Sequence, residues 1–375
     1  MKIDELAKDN TVWNLIYELS TKQGITEIMI NGSNNIYIER DNEFIRLNVQ
    51  LVREHIKKFC QDIAAYNKKV FNDKNPIIDG RLPDGSRVNI ISDSYTTGTP
   101  AITIRKYLKQ IRTFESVDEI FGLKNKKWFE FFKTLVKAKC NILVSGGTGV
   151  GKTTFLNLLL QEIPKDERVI TIEDTRELQF NLTNVVRLEA KNEIADENKG
   201  LNIRQLLKNT LRMRPDRIIV GEVRAEEAFD LLQAMNTGHN GSMTSIHANT
   251  PGECVGRLEN LFILAGYDIP IRAIRYQIVK AVDYIIQIGR NKNGERVVTK
   301  VSEVTGIEQE RILLQDIGVY EEDRLNFTGL VPAEMKKLMD SGLSNNFFDN
   351  PDLEVPVQEE IQETQEPLPP VIGQE

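Results

Sequence analysis

The period of the hydrophobic positions changes midway along this chain. Over residues 2–19 the apolar side chains Leu6, Val12, Trp13, Leu15, Ile16 and Leu19 recur at helical spacing and predict an amphipathic helix. Short runs follow: ITEIMI, closed by the Asn31-Gly32 turn signal, then IYIER, then EFIRL after Asp41-Asn42, each expected as a strand. Residues 52–70 return to helical spacing. RLPDGSRVNI, with a turn at Pro83–Gly85, and AITIRKY complete a β-rich stretch. Residues 1–108 are thus expected to form a compact α+β domain. Residues 109–124 read as a connector into a helix over 126–138.

From residue 140 strands alternate with helices. NILVSGG, RVITIED, NVVRLEA, RIIVGE and SMTSIHA are strand candidates. Residues 151–162, 201–213, 224–237 and 251–265 are helix candidates. This alternation predicts an α/β domain over residues 125–330 with a mainly parallel central sheet. AVDYIIQIGR and ERVVTKVSEV suggest a β-ribbon near residue 300, and residues 331–348 are assigned to a C-terminal helical region. The sequence has no internal repeat.

One junction in this alternation carries chemistry. Gly146 to Thr153 fits G-x-x-x-x-G-K-[ST] between an apolar strand, from Asn141 to Ser145, and a helical run, FLNLLL. Glycines at 146, 147, 149 and 151 let the N–H groups of the loop, through Thr148 and Val150 to Thr154, turn toward phosphate oxygens. The helix N-terminus adds its positive dipole end. Lys152 is expected to reach the outer phosphates, and the Thr153 hydroxyl to ligate Mg²⁺.

Composition narrows the class. The chain has 375 residues, enough for two domains, with 40% hydrophobic and 27% charged residues. No window approaches about 18 uninterrupted apolar residues, and MKIDELAKDN lacks an apolar signal core, so a cytoplasmic location is expected. Cys60, Cys140 and Cys254 are too far apart for a zinc pattern or a disulfide framework. Residues 349–375 hold eight acids and no Lys or Arg. Removing that −8 from the net −7 leaves the remaining chain at +1, with no global bias toward nucleic acid. The acidic, Pro- and Gln-rich tail is too poor in apolar residues to fold alone and is expected to be disordered.

Further segments extend the phosphate loop into a catalytic set. VITIEDTREL ends a strand in Glu173 and Asp174, at the sheet edge where open α/β folds bind ligands. RPDRIIVGEVR ends a strand in Gly221-Glu222, where a carboxylate can orient water or hold Mg²⁺. In NTGHNGSMTSIHANTP, His239 and His247 are candidates to face the phosphates. Arg81, Arg87 and Arg105, all in the first domain, are suited to bidentate phosphate contact.

Together these segments resemble the secretion ATPases that power type II and type IV secretion and type IV pili. Within that superfamily the chain is most similar to the CpaF/TadA-type ATPases of tight-adherence (Flp) pilus assembly. The likeness runs from EIMINGSNNIYIER through RLPDGSRVN, TIRK, NILVSGGTGVGKTT, VITIEDTREL, LRMRPDRIIVGEVR, QAMNTGHNGSMTSIHANTP and IPIRAIRYQI to the VTGIE region. It implies a RecA-like ATPase domain behind a smaller, PAS-like α+β domain, assembled as a ring of six. Its Asp box maps onto Ile172–Glu177, with Glu173 closest to the nucleotide, and its Walker B segment onto Ile218–Glu222, with Glu222 catalytic. Its His box covers His239 and His247. The resemblance implies ATP and Mg²⁺, with Thr153, Glu173 and Glu222 near the metal. Arg105 and Arg81 rank above Arg87 as contacts from the first domain.

The expected activity is therefore Mg²⁺-dependent ATP hydrolysis by a homohexamer that pushes on inner-membrane platform proteins, bound peripherally at the inner face of the membrane. A type IV secretion ATPase shares every catalytic motif. A nucleotide-binding regulator that hydrolyses poorly is the alternative of a different class, and Glu173 and Glu222 argue against it. A nucleic-acid translocase lacks a basic stripe or stacking platform.

Overall fold

A computed structural model describes residues 10–40, 43–106, 113–114, 121–191 and 200–349. Residues 2–9 of the first expected helix, with Leu6, most of the connector and nearly all of the acidic tail lie outside these. The first helix among the described residues, α1 (Thr11–Thr21), is capped by Asn10, whose Oδ1 accepts from the N–H groups of Val12 at 2.8 Å and Trp13 at 3.4 Å. Val12, Trp13, Leu15, Ile16 and Leu19 are all buried, as the helical spacing predicts. The second helix, α2 (Arg53–Tyr66), ends before residue 70 because Asn67 leaves the helix. Its side chain bonds both backbone groups of Arg81, and Lys68 then turns left-handed at φ 55°.

Six strands form an antiparallel sheet: β1 (Ile25–Ile30), β2 (Ile36–Arg40), β3 (Glu43–Leu47), β4 (Ile77–Arg81), β5 (Arg87–Ile91) and β6 (Ala101–Arg105), in the order β3-β2-β1-β6-β5-β4. Alternation buries Ile28, Ile30, Val88, Ile90, Ile102 and Ile104 in one core with α1 and α2. The opposite face keeps its polar residues. Register places Arg81, Arg87, Arg105, Glu27 and Glu39 abreast across five strands of that face.

The second unit is a nine-stranded sheet between two helical layers. Its strands are β7 (Ile142–Gly146), β8 (Val169–Glu173), β9 (Val185–Glu189), β10 (Arg217–Val223), β11 (Met243–Ile246), β12 (Tyr284–Arg290), β13 (Arg296–Glu308), β14 (Arg311–Glu321) and β15 (Arg324–Phe327). The order is β15-β14-β13-β12-β7-β11-β10-β8-β9. From β12 to β9 every pairing is parallel, and β13 to β15 add an antiparallel flank. One core holds residues of α3 (Lys127–Lys137) and α4 (Lys152–Gln161). The other holds residues of α5 (Ile203–Thr210), α6 (Glu227–Asn236), α7 (Pro251–Leu264) and α8 (Ile271–Ala281). This is the expected α/β architecture.

The antiparallel flank extends past the expected ribbon. Its two hairpin turns fall at Gln309-Glu310 and Glu322-Asp323, all four residues at positive φ. Such turns favour Asn-Gly, so these offer no turn signal in the sequence. Beyond β15, the short helix α9 (Met335–Met339) leads to Phe347 and Phe348, which pack against Phe131 and Phe327. Trp128 stacks on Phe327 with ring centres 3.8 Å apart and donates its indole N–H to the Leu325 carbonyl. All three cysteines are buried, and burial pushes each thiol up to about 12.

Candidate functional site

Because β7, β8, β10 and β11 run parallel and adjacent, their carboxyl ends share one edge. Most residues of the Gly146–Thr153 loop, with Glu173, Glu222 and His247, lie at that edge and line one cleft of about 640 Å³. The first sheet closes its other side with Glu27, Glu39, Arg87 and Arg105. Gly151, the N-cap of α4, stands at φ 99°, and a Cβ there would meet the Phe121 ring at 3.1 Å. Only glycine turns the loop into the helix at this point.

Lys152 is gathered into the loop. Its Nζ donates to the carbonyls of Gly146 at 3.0 Å and Gly147 at 2.9 Å, and lies 3.9 Å from Glu222 Oε1. Burial lowers its pKa from the ordinary lysine value, and the Glu222 carboxylate opposes that shift. Glu222 Oε2 is gripped by Arg224, whose Nε lies 2.8 Å away and whose Nη2 also contacts it. Arg224 extends to Asp174 at 3.4 Å.

The carboxylates divide differently from the expectation. Glu173 was expected nearest the nucleotide and the metal. It lines the cleft but is only 3% exposed, with Oε1 accepting the N–H groups of Glu177 at 2.7 Å and Leu178 at 2.9 Å. Burial raises its pKa above the ordinary carboxylate value, against the pull of those two N–H groups. A carboxyl so held shapes the loop through Oε1, while its buried Oε2 has no hydrogen-bond partner. The residue it positions is Glu177, whose Oε2 accepts the Thr153 hydroxyl at 3.2 Å. Glu177 closes the Asp box that the resemblance maps onto Ile172–Glu177, but the sequence offers no signal that assigns it a role at Thr153.

The arginines also sort by place. Arg87 reaches across the cleft to Glu177 Oε1 at 3.1 Å and to the Thr175 carbonyl at 3.4 Å. Burial lowers its pKa from the ordinary arginine value, with Glu177 opposing. Arg105 stays within its own sheet, on Glu27 at 2.9 Å. Arg81 pairs with Glu189 and does not line the cleft. Arg87, ranked third from sequence, thus stands nearest the phosphate loop's Thr153. Arg257, Arg290 and Arg296 line the cleft from the second unit and carried no motif signal. Arg290 Nη2 donates to the Gly149 carbonyl at 3.3 Å.

The histidines separate. His247 follows β11 at the cleft, where the Ala248 carbonyl accepts from Gln287 Nε2 at 3.0 Å and Ser145 Oγ at 3.4 Å. His239 precedes β11 and is tied to the Ala234 carbonyl at 3.2 Å. A whole strand stands between it and the phosphate loop, which corrects its expected place at the phosphates.

Thr153, Glu177 and Glu222 form an oxygen set open to the cleft, which suits a Mg²⁺ ion shared with phosphate oxygens better than an all-protein metal cage. Among the described residues no group of three or more His, Cys, Asp or Glu is arranged to hold a metal by itself.

The sequence profile described as Type II/IV secretion system protein matches residues 9–320. A putative conjugal transfer protein of Mycobacterium tuberculosis is 29% identical over 317 residues, covering 83% of this chain and 88% of that one. The conjugal transfer protein TrbB of Rhizobium radiobacter is 32% identical over 304 residues, covering 80% and 90%. Among solved structures, the Legionella pneumophila ATPase DotB is similar with a TM-score of 0.56 over 90% of this chain and 86% of that one, at 18% identity, a likeness of fold.

Proposed function

The chain belongs to the type II/IV secretion system protein family, and from that premise we propose that it hydrolyses ATP to ADP and phosphate as the motor of an envelope export machine. The observation that carries this reading is the convergence of Lys152, Thr153, Glu177 and Glu222 at one parallel-sheet edge beneath Arg87. Lys152 and the loop N–H groups bind the β- and γ-phosphates. Thr153, Glu222 and Glu177 would hold Mg²⁺, which supplies charge neutralisation at the phosphate oxygens. Glu222 orients the attacking water and accepts its proton, and Arg87 stabilises charge on the transferring phosphoryl group. Phosphate contacts from both sides of the cleft couple turnover to the angle between the two units.

We further propose a ring of six copies that acts on platform proteins at the inner face of the cytoplasmic membrane. Among the described residues no helix is long and apolar enough to cross a membrane. The motif resemblance favours assembly of a tight-adherence pilus. The names of the relatives, two of them conjugal transfer proteins, favour a second reading as a type IV secretion ATPase. Prepilin genes beside this one would support the first, and conjugation-channel genes the second. A steady-state ATPase assay on the full chain tests the activity itself: turnover abolished by Lys152→Ala is expected, and a parent chain that binds ATP without turnover would make it a regulator.

A further inference from the structure

We infer that Ser245 is a positioning residue that sets the aim of Glu222, an inference that rests on the ATPase reading. Strand β10 carries a bulge where it reaches the cleft. Val220 pairs with Thr244 and Val223 with Ile246, so three steps along β10 are set against two along β11. The extra residue falls at Gly221-Glu222. Bulges are rare in parallel pairs, and they re-aim side chains beside active sites.

A bulge disrupts the ladder locally, so its backbone groups need other partners. Here the buried Ser245 hydroxyl donates to the Gly221 carbonyl at 2.7 Å. On the other side Glu173 fills the space that a side chain at Gly221 would need: a Cβ added there would stand 3.1 Å from Glu173 Cγ. The Gly221 peptide is therefore fixed between a hydroxyl on β11 and a side chain on β8. The next peptide, and with it the direction of the Glu222 side chain, follows from that fixation. Ser245 lines the cleft, but its one proton is committed to Gly221. Its effect on the reaction passes through Glu222.

The test is steady-state ATPase kinetics on the full chain, with thermal unfolding as the control for folding. Ser245→Ala should lower kcat by about 10–10²-fold, the scale of a small misplacement of a catalytic group, and leave the KM for ATP unchanged. Ser245→Thr, which keeps the hydroxyl, should recover most of the loss. In the Glu222→Gln background, Ser245→Ala should lower the residual rate no further. If the alanine variant fails to fold, Ser245→Cys, similar in size and a weak donor, takes its place in the same cycle. An active parent whose Ser245→Ala variant turns over equally fast overturns the inference alone. So does a loss that multiplies undiminished on Glu222→Gln. A parent without turnover overturns both this inference and the reading beneath it.

Discussion

At the residue scale, the two strand-end glutamates named from sequence have different work, and substitution separates them. Glu222 faces Lys152 and the cleft. Glu222→Gln keeps the shape and loses the charge, so ATP should still bind while hydrolysis falls by about 10²–10⁴-fold, measured as kcat beside a nucleotide-binding titration. Glu173 is buried and holds two backbone N–H groups of its loop. Glu173→Ala strands both donors and should cost on the order of 2–5 kcal/mol in urea unfolding. Glu173→Gln keeps an acceptor for them and, because burial already disfavours the charged form, should unfold within about 1 kcal/mol of the parent. The sequence marked both as acids at strand ends. It did not distinguish them, because side-chain direction at a strand end depends on the loop that follows.

At the element scale, the C-terminal segment is fastened to the second unit by a buried acid as well as by aromatic packing. Glu303 on β13 accepts the N–H groups of Ala333 at 2.9 Å and Glu334 at 3.4 Å, just before α9. Burial raises its pKa above the ordinary value of 4.5, and these N–H groups oppose the shift. A carboxyl with a higher pKa folded than unfolded stabilises the fold below its unfolded pKa. That contribution is lost as pH rises through the folded value. Glu303→Gln, neutral throughout, loses one acceptor oxygen at every pH, but the parent's unfolding temperature should fall relative to the variant's as pH rises above about 4.5. A gap that stays constant across a pH series would show that the carboxyl does not titrate in this window. Element positions were legible wherever the apolar period was clear, as in α1, β1 and β7. The turns at Gln309-Glu310 and Glu322-Asp323 were not, since their positive φ is imposed by strand pairing on residues that do not favour it.

At the scale of the whole molecule, two partly buried ion pairs, Arg81–Glu189 and Arg87–Glu177, join the first sheet to the second unit. Arg87→Ala in the full chain should leave nucleotide binding in place and lower kcat by up to about 10³-fold, with poor rescue by lysine, which lacks the planar fork. A chain of residues 112–348 lacks all three first-sheet arginines and should hydrolyse ATP far more slowly than the full chain. Equal rates, with both chains folded, would mean that the first sheet takes no part in the chemistry.

The sequence by itself determined where the candidate phosphate loop lies and the class of the fold. The motif of Gly146–Thr153 lies in consecutive residues, and the strand and helix beside it are set by local apolar period. It also supplied Glu222 and His247, because parallel strands deliver their carboxyl ends to one edge. Only the tertiary structure decided that His239 lies at the far edge, that Glu177 and not Glu173 meets Thr153, and that Arg87 crosses the cleft. The three arginines stand abreast because strand register aligns positions 81, 87 and 105. Register, a bulge and the approach of two sheets are relations between segments distant in the chain, and local spacing carries no record of them.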